Sequence, residues 1–299
     1  MPIPASASMA SPAITLPGVV GRSRTILGRR PAVTLSVVIL VGLAAVILLL
    51  PWIAPLDQAS VALDRINWAP SWHHLFGTDE LGRDVLLRSL YGLRVSMLVG
   101  LVAAAATGLG GVVGLVAAAR GGWLDRALMR VVDTVSALPH LLLGIFIVAM
   151  LRPSLKGVVL SVALTHWIST ARIVRSETLS LRERPFIDAA ISGGASRRRI
   201  LVRHYLPHVG PQVLLAATLM VPHAVYHETA LSFLGLGLPP HLASIGNMIN
   251  DGRRSLLGGA WWPSVIPGLL IVVVTLALSC AAGWWRDRLN PRLRAELEL

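Results

Sequence analysis

The chain has 299 residues, is 54% hydrophobic and 14% charged, and carries a net charge of +12. Its aliphatic residues fall in long blocks rather than in the spaced stripes of soluble helices, which places it among membrane proteins and excludes an ordinary soluble domain. Its one cysteine, Cys280, excludes a disulfide framework and a Cys-rich metal site within the chain.

Residues 1–32 are rich in Ser, Ala, Pro and Arg and read as a disordered tail. The first apolar block, Val33–Ala54, is longer than the core of a signal peptide and has no small-residue cleavage site after it, so it is expected to be an uncleaved anchor. Residues 55–94 are polar enough to lie outside the membrane. A second span near Val95–Ala119 contains Gly110-x-x-x-Gly114, spacing that lets another helix approach closely in lipid. A third, Leu138–Leu151, is short for the roughly 20 residues that cross the hydrocarbon as a helix. The fourth runs near Val158–Val174, the fifth near Val209–Leu236 and the sixth near Trp262–Trp285, ahead of a tail at 286–299. The expected fold is therefore an all-α polytopic membrane protein of about six transmembrane helices, five of them in a core unit over 95–285.

Of the 27 basic residues, 26 are arginines. Nineteen fall in the tails and in the loops near 120–130 and 172–203, the inside segments if the N-terminus is cytoplasmic; the other eight are outside. That bias predicts N-in, C-in topology and accounts for the positive charge without nucleic acid. Tryptophans 52, 123, 261, 262, 284 and 285 stand at predicted span ends, where the ring suits the headgroup layer.

Catalytic machinery is absent by motif. A phosphate-binding loop needs Gly-x-x-x-x-Gly-Lys-Ser/Thr, but the only lysine is Lys156, preceded by Leu155. His227-Glu228 resembles the start of a zinc-protease helix, yet Leu231 stands where the second ligand would be. His73 and His74 are adjacent and would diverge on a helix. No catalytic residue, metal site or cofactor is expected on this chain.

Between the fourth and fifth spans lies RERPFIDAAISGGASRRRILVRHYLPH, residues 182–208, too polar for lipid and long for a connector. It reads as a helix bearing Ala189 and Ala190, a turn at Gly193 and Gly194, a second short helix capped by Ser196, and a stop at Pro207. DAAISGGASRRRILVRHYLP resembles the EAA loop of ATP-binding-cassette importer permeases at Asp188, Ala189, Ala190, Gly194, Leu206 and Pro207, with Asp in place of Glu. HLFGTDELGRDVLLRSLYGLRVSMLVG, ARIVRSETLSLRERPF, ETALSFLGLGLPP and GNMINDGR extend the resemblance over about 72–292, toward C-subunit permeases for dipeptides and oligopeptides.

The resemblance implies a permease in a bacterial inner membrane, working with a homologous second permease, two cytoplasmic ATPase subunits or domains that carry ATP and Mg, and an extracytoplasmic substrate-binding protein. The 182–208 loop would couple to the ATPase, with Arg198 among the arginines available to acidic partner residues. Di- or oligopeptides are the leading substrates, with nickel complexes and sugars open. An ATP-independent secondary transporter is the alternative, which would normally show an internal repeat that is not evident here. Glu228, an ionisable group in an apolar span, and His166 in the fourth span are candidate pathway residues.

Overall fold

A computed structural model describes residues 29–55, 57 and 60–289 of the protein. The predicted disordered tail lies outside it up to residue 28, as does the C-terminal tail from residue 290. Among the described residues there is no strand; a lone antiparallel bridge joins Thr78 and Asp84.

Among the described residues eleven α-helices follow one another: α1 (Arg29–Ile53), α2 (Val85–Arg120), α3 (Gly122–Ser136), α4 (His140–Leu151), α5 (Leu155–Thr165), α6 (Ile168–Arg182), α7 (Pro185–Ser192), α8 (Arg197–Ile200), α9 (Leu206–Phe233), α10 (Ile245–Leu257) and α11 (Trp262–Leu289). Five unbroken or nearly unbroken stretches are long and apolar enough to cross a membrane, and α3 with α4 makes a sixth if the bent pair counts as one. Large apolar side chains such as Leu48, Phe146 and Leu276 are exposed on these helices, as lipid contact requires.

Several boundaries differ from the sequence reading. α1 begins at Arg29, ahead of the predicted Val33. The second span begins ten residues before Val95, because Asp84 caps α2 by accepting from the Leu87 amide and the early Arg88 is neutralised by Asp79. The helix carrying the second span thus starts within the stretch read as extracytoplasmic. The third span is not one helix: α4 has 12 residues, about 18 Å, and α3 joins it at 84°. The fourth is longer than predicted, and it breaks between Thr165 and Ile168. Pro207 does not stop a helix; it sits in the first turn of α9, which runs on from the helical turn before it. A π-helical turn over Leu201–Tyr205 joins α8 to α9.

α2 is the central rod. A Cβ on Gly110 would meet the Trp167 carbonyl oxygen at 2.0 Å, and one on Gly114 would meet that of Ala171 at 2.1 Å. The predicted glycine pair thus seats α6 backbone-to-backbone, each glycine one turn from the next on both helices. Val99 and Ala103 of α2 pack with Val148 of α4, Val162 of α5 and Leu231 of α9. Ile47 and Val274 bring α1 and α11 against Leu93 of α2 and Ile245 of α10.

Residues 77–84 form a tight turn around one carboxylate. Asp79, almost fully buried, accepts from the Leu81 and Arg83 amides, from Arg83 Nε at 2.8 Å and from Arg88 Nη1 at 2.5 Å. Trp262 Nε1 donates to the Thr78 carbonyl, pinning the start of α11 to the same turn. This explains the Gly-Thr-Asp-x-x-Gly-Arg-Asp pattern as a structural node.

Candidate functional site

At one end of the bundle the 182–208 segment forms the helix, glycine turn and Ser196-capped second helix that its sequence suggests, and differs only in running on through Pro207. Pro185 opens α7, which ends in a left-handed glycine: Gly194 has φ +76°. The Gly194 amide donates to the Ile191 carbonyl and the Ala195 amide to that of Ala190, the two bonds of a Schellman cap. Ser196 Oγ then accepts from the Arg199 amide and starts α8.

The segment is amphipathic in space. Ile187, Ile200 and Tyr205 are buried in a core with Leu115 of α2, Val174 and Leu181 of α6 and Val209 of α9. Asp188, Ala189, Gly194, Arg198, Leu206 and Pro207 are exposed, and Ala190 is half-buried. The Phe186 ring stacks on His208 with centroids 5.7 Å apart, holding the start of α7 over the next helix. What remains outward is a small-residue ridge beside Arg197, Arg198 and Arg199, a shape suited to docking a complementary acidic groove.

Nearer the other end, Glu228 is fully buried and accepts three hydroxyl hydrogen bonds. Ser96 of α2 donates at 2.6 Å, Ser232 of α9 at 2.9 Å and Ser244, which precedes α10, at 2.9 Å. The carboxylate therefore stitches three elements together, and it is not a solvated interfacial group. His166 lies in the break between α5 and α6, buried, with Nδ1 3.0 Å from the Val162 carbonyl oxygen. Glu228 and His166 are not in contact through any of these bonds. His166 instead neighbours His140, His223 and His227. The sequence reading weighed His227 only as part of a zinc-protease motif and missed His140 and His223; the His223-x-x-x-His227 spacing on one face of α9 was the available signal.

Lateral ties fix α3 beside this region. Arg175 of α6 holds Asp125 of α3 through two bonds of 2.5 and 2.7 Å, a bidentate geometry stronger than a single contact.

Residues 110–295 match the family described as the binding-protein-dependent transport system inner membrane component. The chain is 37% identical over 245 residues to the dipeptide transport system permease protein DppC of Bacillus subtilis, covering 82% of this chain and 77% of that one. It is 39% identical over 294 residues to a putative peptide transport system permease protein of Brucella suis, covering 97% of both. The oligopeptide transport system permease protein OppC of Bacillus subtilis is 35% identical over 262 residues, 85% of this chain and 86% of that one. A helical body with five or six membrane-length stretches fits these matches, and the chain belongs to the family of inner-membrane components of binding-protein-dependent transport systems.

Proposed function

We propose that the chain is one of two homologous permeases of an ATP-binding-cassette importer for di- or oligopeptides, in a bacterial inner membrane. In this reading both termini are cytoplasmic, a binding protein delivers substrate at the end holding Asp79 and Glu228, and two ATPase subunits or domains carry ATP and Mg at the end holding α7. The observation that carries it is the 182–208 segment, whose inner face is welded into the core by Ile187, Ile200 and Tyr205 while Asp188, Ala189 and the arginines face outward. A docked ATPase could push on such a segment and move α6 and α9 with it. The peptide assignment follows the relatives' names and the extent of their similarity.

His140 and His223 mark where substrate passes: both are exposed, His223 within the membrane-length stretch Arg197–Phe233 and His140 at the bend of the α3–α4 pair, and ionisable groups there face a partner helix or a water-filled path. Glu228 contributes from behind that face by fixing the outer part of α9 against α2 and α10.

The test is peptide uptake by proteoliposomes containing the whole transporter, with and without ATP at the ATPase side. Uptake that continues unchanged without ATP would return the secondary-transporter reading. Gly194→Val forces a β-branched residue into φ +76°, a conformation that L side chains adopt at a cost of about 1–3 kcal/mol. The expected result is normal insertion with substrate-stimulated ATPase activity and uptake both reduced; if both are normal, residues 182–208 do not couple.

A further inference from the structure

Four of the nine histidines converge midway along the bundle, and neither the 182–208 segment nor the Glu228 node uses them. His140 opens α4, His166 stands in the α5–α6 break, and His223 and His227 lie one turn apart on α9. Ring centroids are 4.7 Å apart for His140 and His227, 4.8 Å for His223 and His227, and 5.3 Å for His166 and His227. His140 Nε2 and His227 Nε2 face each other at 3.0 Å. A ring nitrogen of each of His140, His223 and His227 lies within 4.8 Å of the others.

A packing role does not account for this group. His166 Nδ1 lies 3.0 Å from the Val162 carbonyl, which only accepts, and 2.8 Å from Thr165 Oγ1, whose own hydrogen goes to the Ser161 carbonyl at 2.8 Å, so the His166 proton sits on Nδ1 and the lone pair on Nε2. That Nε2 is buried with no hydrogen-bond partner. An imidazole whose one N–H is held by a backbone carbonyl while its other nitrogen keeps a free lone pair has the protonation pattern of metal-ligating histidines. A buried imidazole nitrogen left without a partner, as His166 Nε2 is, is costly unless something binds it.

The ligand chemistry narrows what that is. The neighbouring carboxylate, Glu228, is fully engaged by three serines, so the set is imidazole alone. Neutral nitrogen ligands do not select Mg or Ca, which seek oxygen; they suit late first-row ions such as Zn, Co, Ni and Cu. Metal–nitrogen bonds of about 2.0–2.1 Å in a tetrahedron put ligand nitrogens about 3.4 Å apart, and the 3.0–4.8 Å spacings here bracket that value. His140 and His223 are exposed, so their rings have room to close on an ion and leave it a route in.

We propose that His140, His223 and His227, with His166 as a fourth ligand, form a site for a divalent late first-row transition-metal ion. Bound there, the ion would tie α4 to α9. The proposal is independent of substrate and of the pathway reading, because binding is measured at equilibrium without transport.

The experiment uses the assembled transporter, purified through a tag that contains no histidine. His204→Gln and His208→Gln are introduced into the reference protein, since that pair, four residues apart beside the 182–208 segment, could chelate metal by itself. Cobalt(II) is titrated and read by the visible absorption of tetrahedral cobalt, with zinc competition and metal content by mass spectrometry. Expected are one cobalt per chain in the reference, weakening of at least about tenfold in His140→Gln and in His227→Gln, and no change in His241→Gln. His140 is exposed, so its variant tests binding without disturbing the core. Equal cobalt affinity and stoichiometry in the reference and His140→Gln, or no tetrahedral band in the reference, would overturn the site.

Discussion

The contact between α2 and α6 gives the sharpest quantitative expectation. Replacing Gly110 with alanine puts a methyl 2.0 Å from the Trp167 carbonyl oxygen, and ordinary contact begins at 3.4 Å. Backbone cannot swing aside as a side chain does, so α6 must retreat by about 1.4 Å. A gap of that size forfeits more than half of the dispersion attraction along the seam. It would also loosen Ile168 and Ala171 from Val132 of α3 and Val113 of α2. Overpacking of this kind costs about 1–3 kcal/mol, set against about 1 kcal/mol gained from alanine's better helix propensity. Gly114→Ala, at 2.1 Å from the Ala171 oxygen, should behave alike. Gly108 is the internal control: it lies on the same helix with nothing within 4 Å of an added Cβ, so Gly108→Ala should be neutral or slightly stabilising. The assay is the thermal midpoint of the detergent-solubilised transporter, followed by size-exclusion recovery after heating. If Gly110→Ala and Gly108→Ala shift the midpoint equally, the close backbone seam is not what holds α6.

At Glu228, Gln retains an acceptor for the serines while Leu leaves three buried hydroxyls without theirs, so Glu228→Leu should lower stability by about 3 kcal/mol or more and Glu228→Gln far less. Equal midpoints for the two variants would show that the serine stitch is idle. Asp251 of α10 has its pKa raised, chiefly by burial, with Asp79 adding to the shift and Arg88, Arg83 and Arg254 opposing it. A carboxyl with a raised folded-state pKa binds its proton more tightly folded than unfolded, so its contribution falls as pH rises from the ordinary aspartate range through the raised value. Between about pH 4 and pH 7 the wild type should therefore lose more stability than Asp251→Asn; parallel melting curves across that range would contradict the burial argument.

The apolar blocks were legible because lipid demands length and continuity, and every predicted span has a helix under it. Residues 182–208 were legible because capping is local: Gly194 and Ser196 act through bonds spanning three to five residues. What escaped depends on partners far away in sequence. Arg88 reads as a loop charge until Asp79 is seen against it, and with it the true start of α2 at Val85. The serines that satisfy Glu228 come from positions 96, 232 and 244. His140 is 87 residues from His227, so no spacing rule could join them. The bend before His140 was marked by Pro139, which cannot continue α3 and biases the residue before it out of the helix, but it lies inside the block read as the third span, where only apolar length was weighed.

The π turn at Leu201–Tyr205 makes the stretch from Arg197 to Phe233 a single 37-residue rod, about 55 Å long if straight. Its near end carries Arg198 and its far third carries Glu228. Pro207, Pro211 and Pro222 each delete one rung of its hydrogen-bond ladder, so the rod is weakest in bending at those three places. A force applied at the α7 ridge is thus transmitted as by a jointed crank: the arm before Pro211 moves with the ridge, and the arm beyond Pro222, clamped by the serines, either swings as a unit or breaks those bonds.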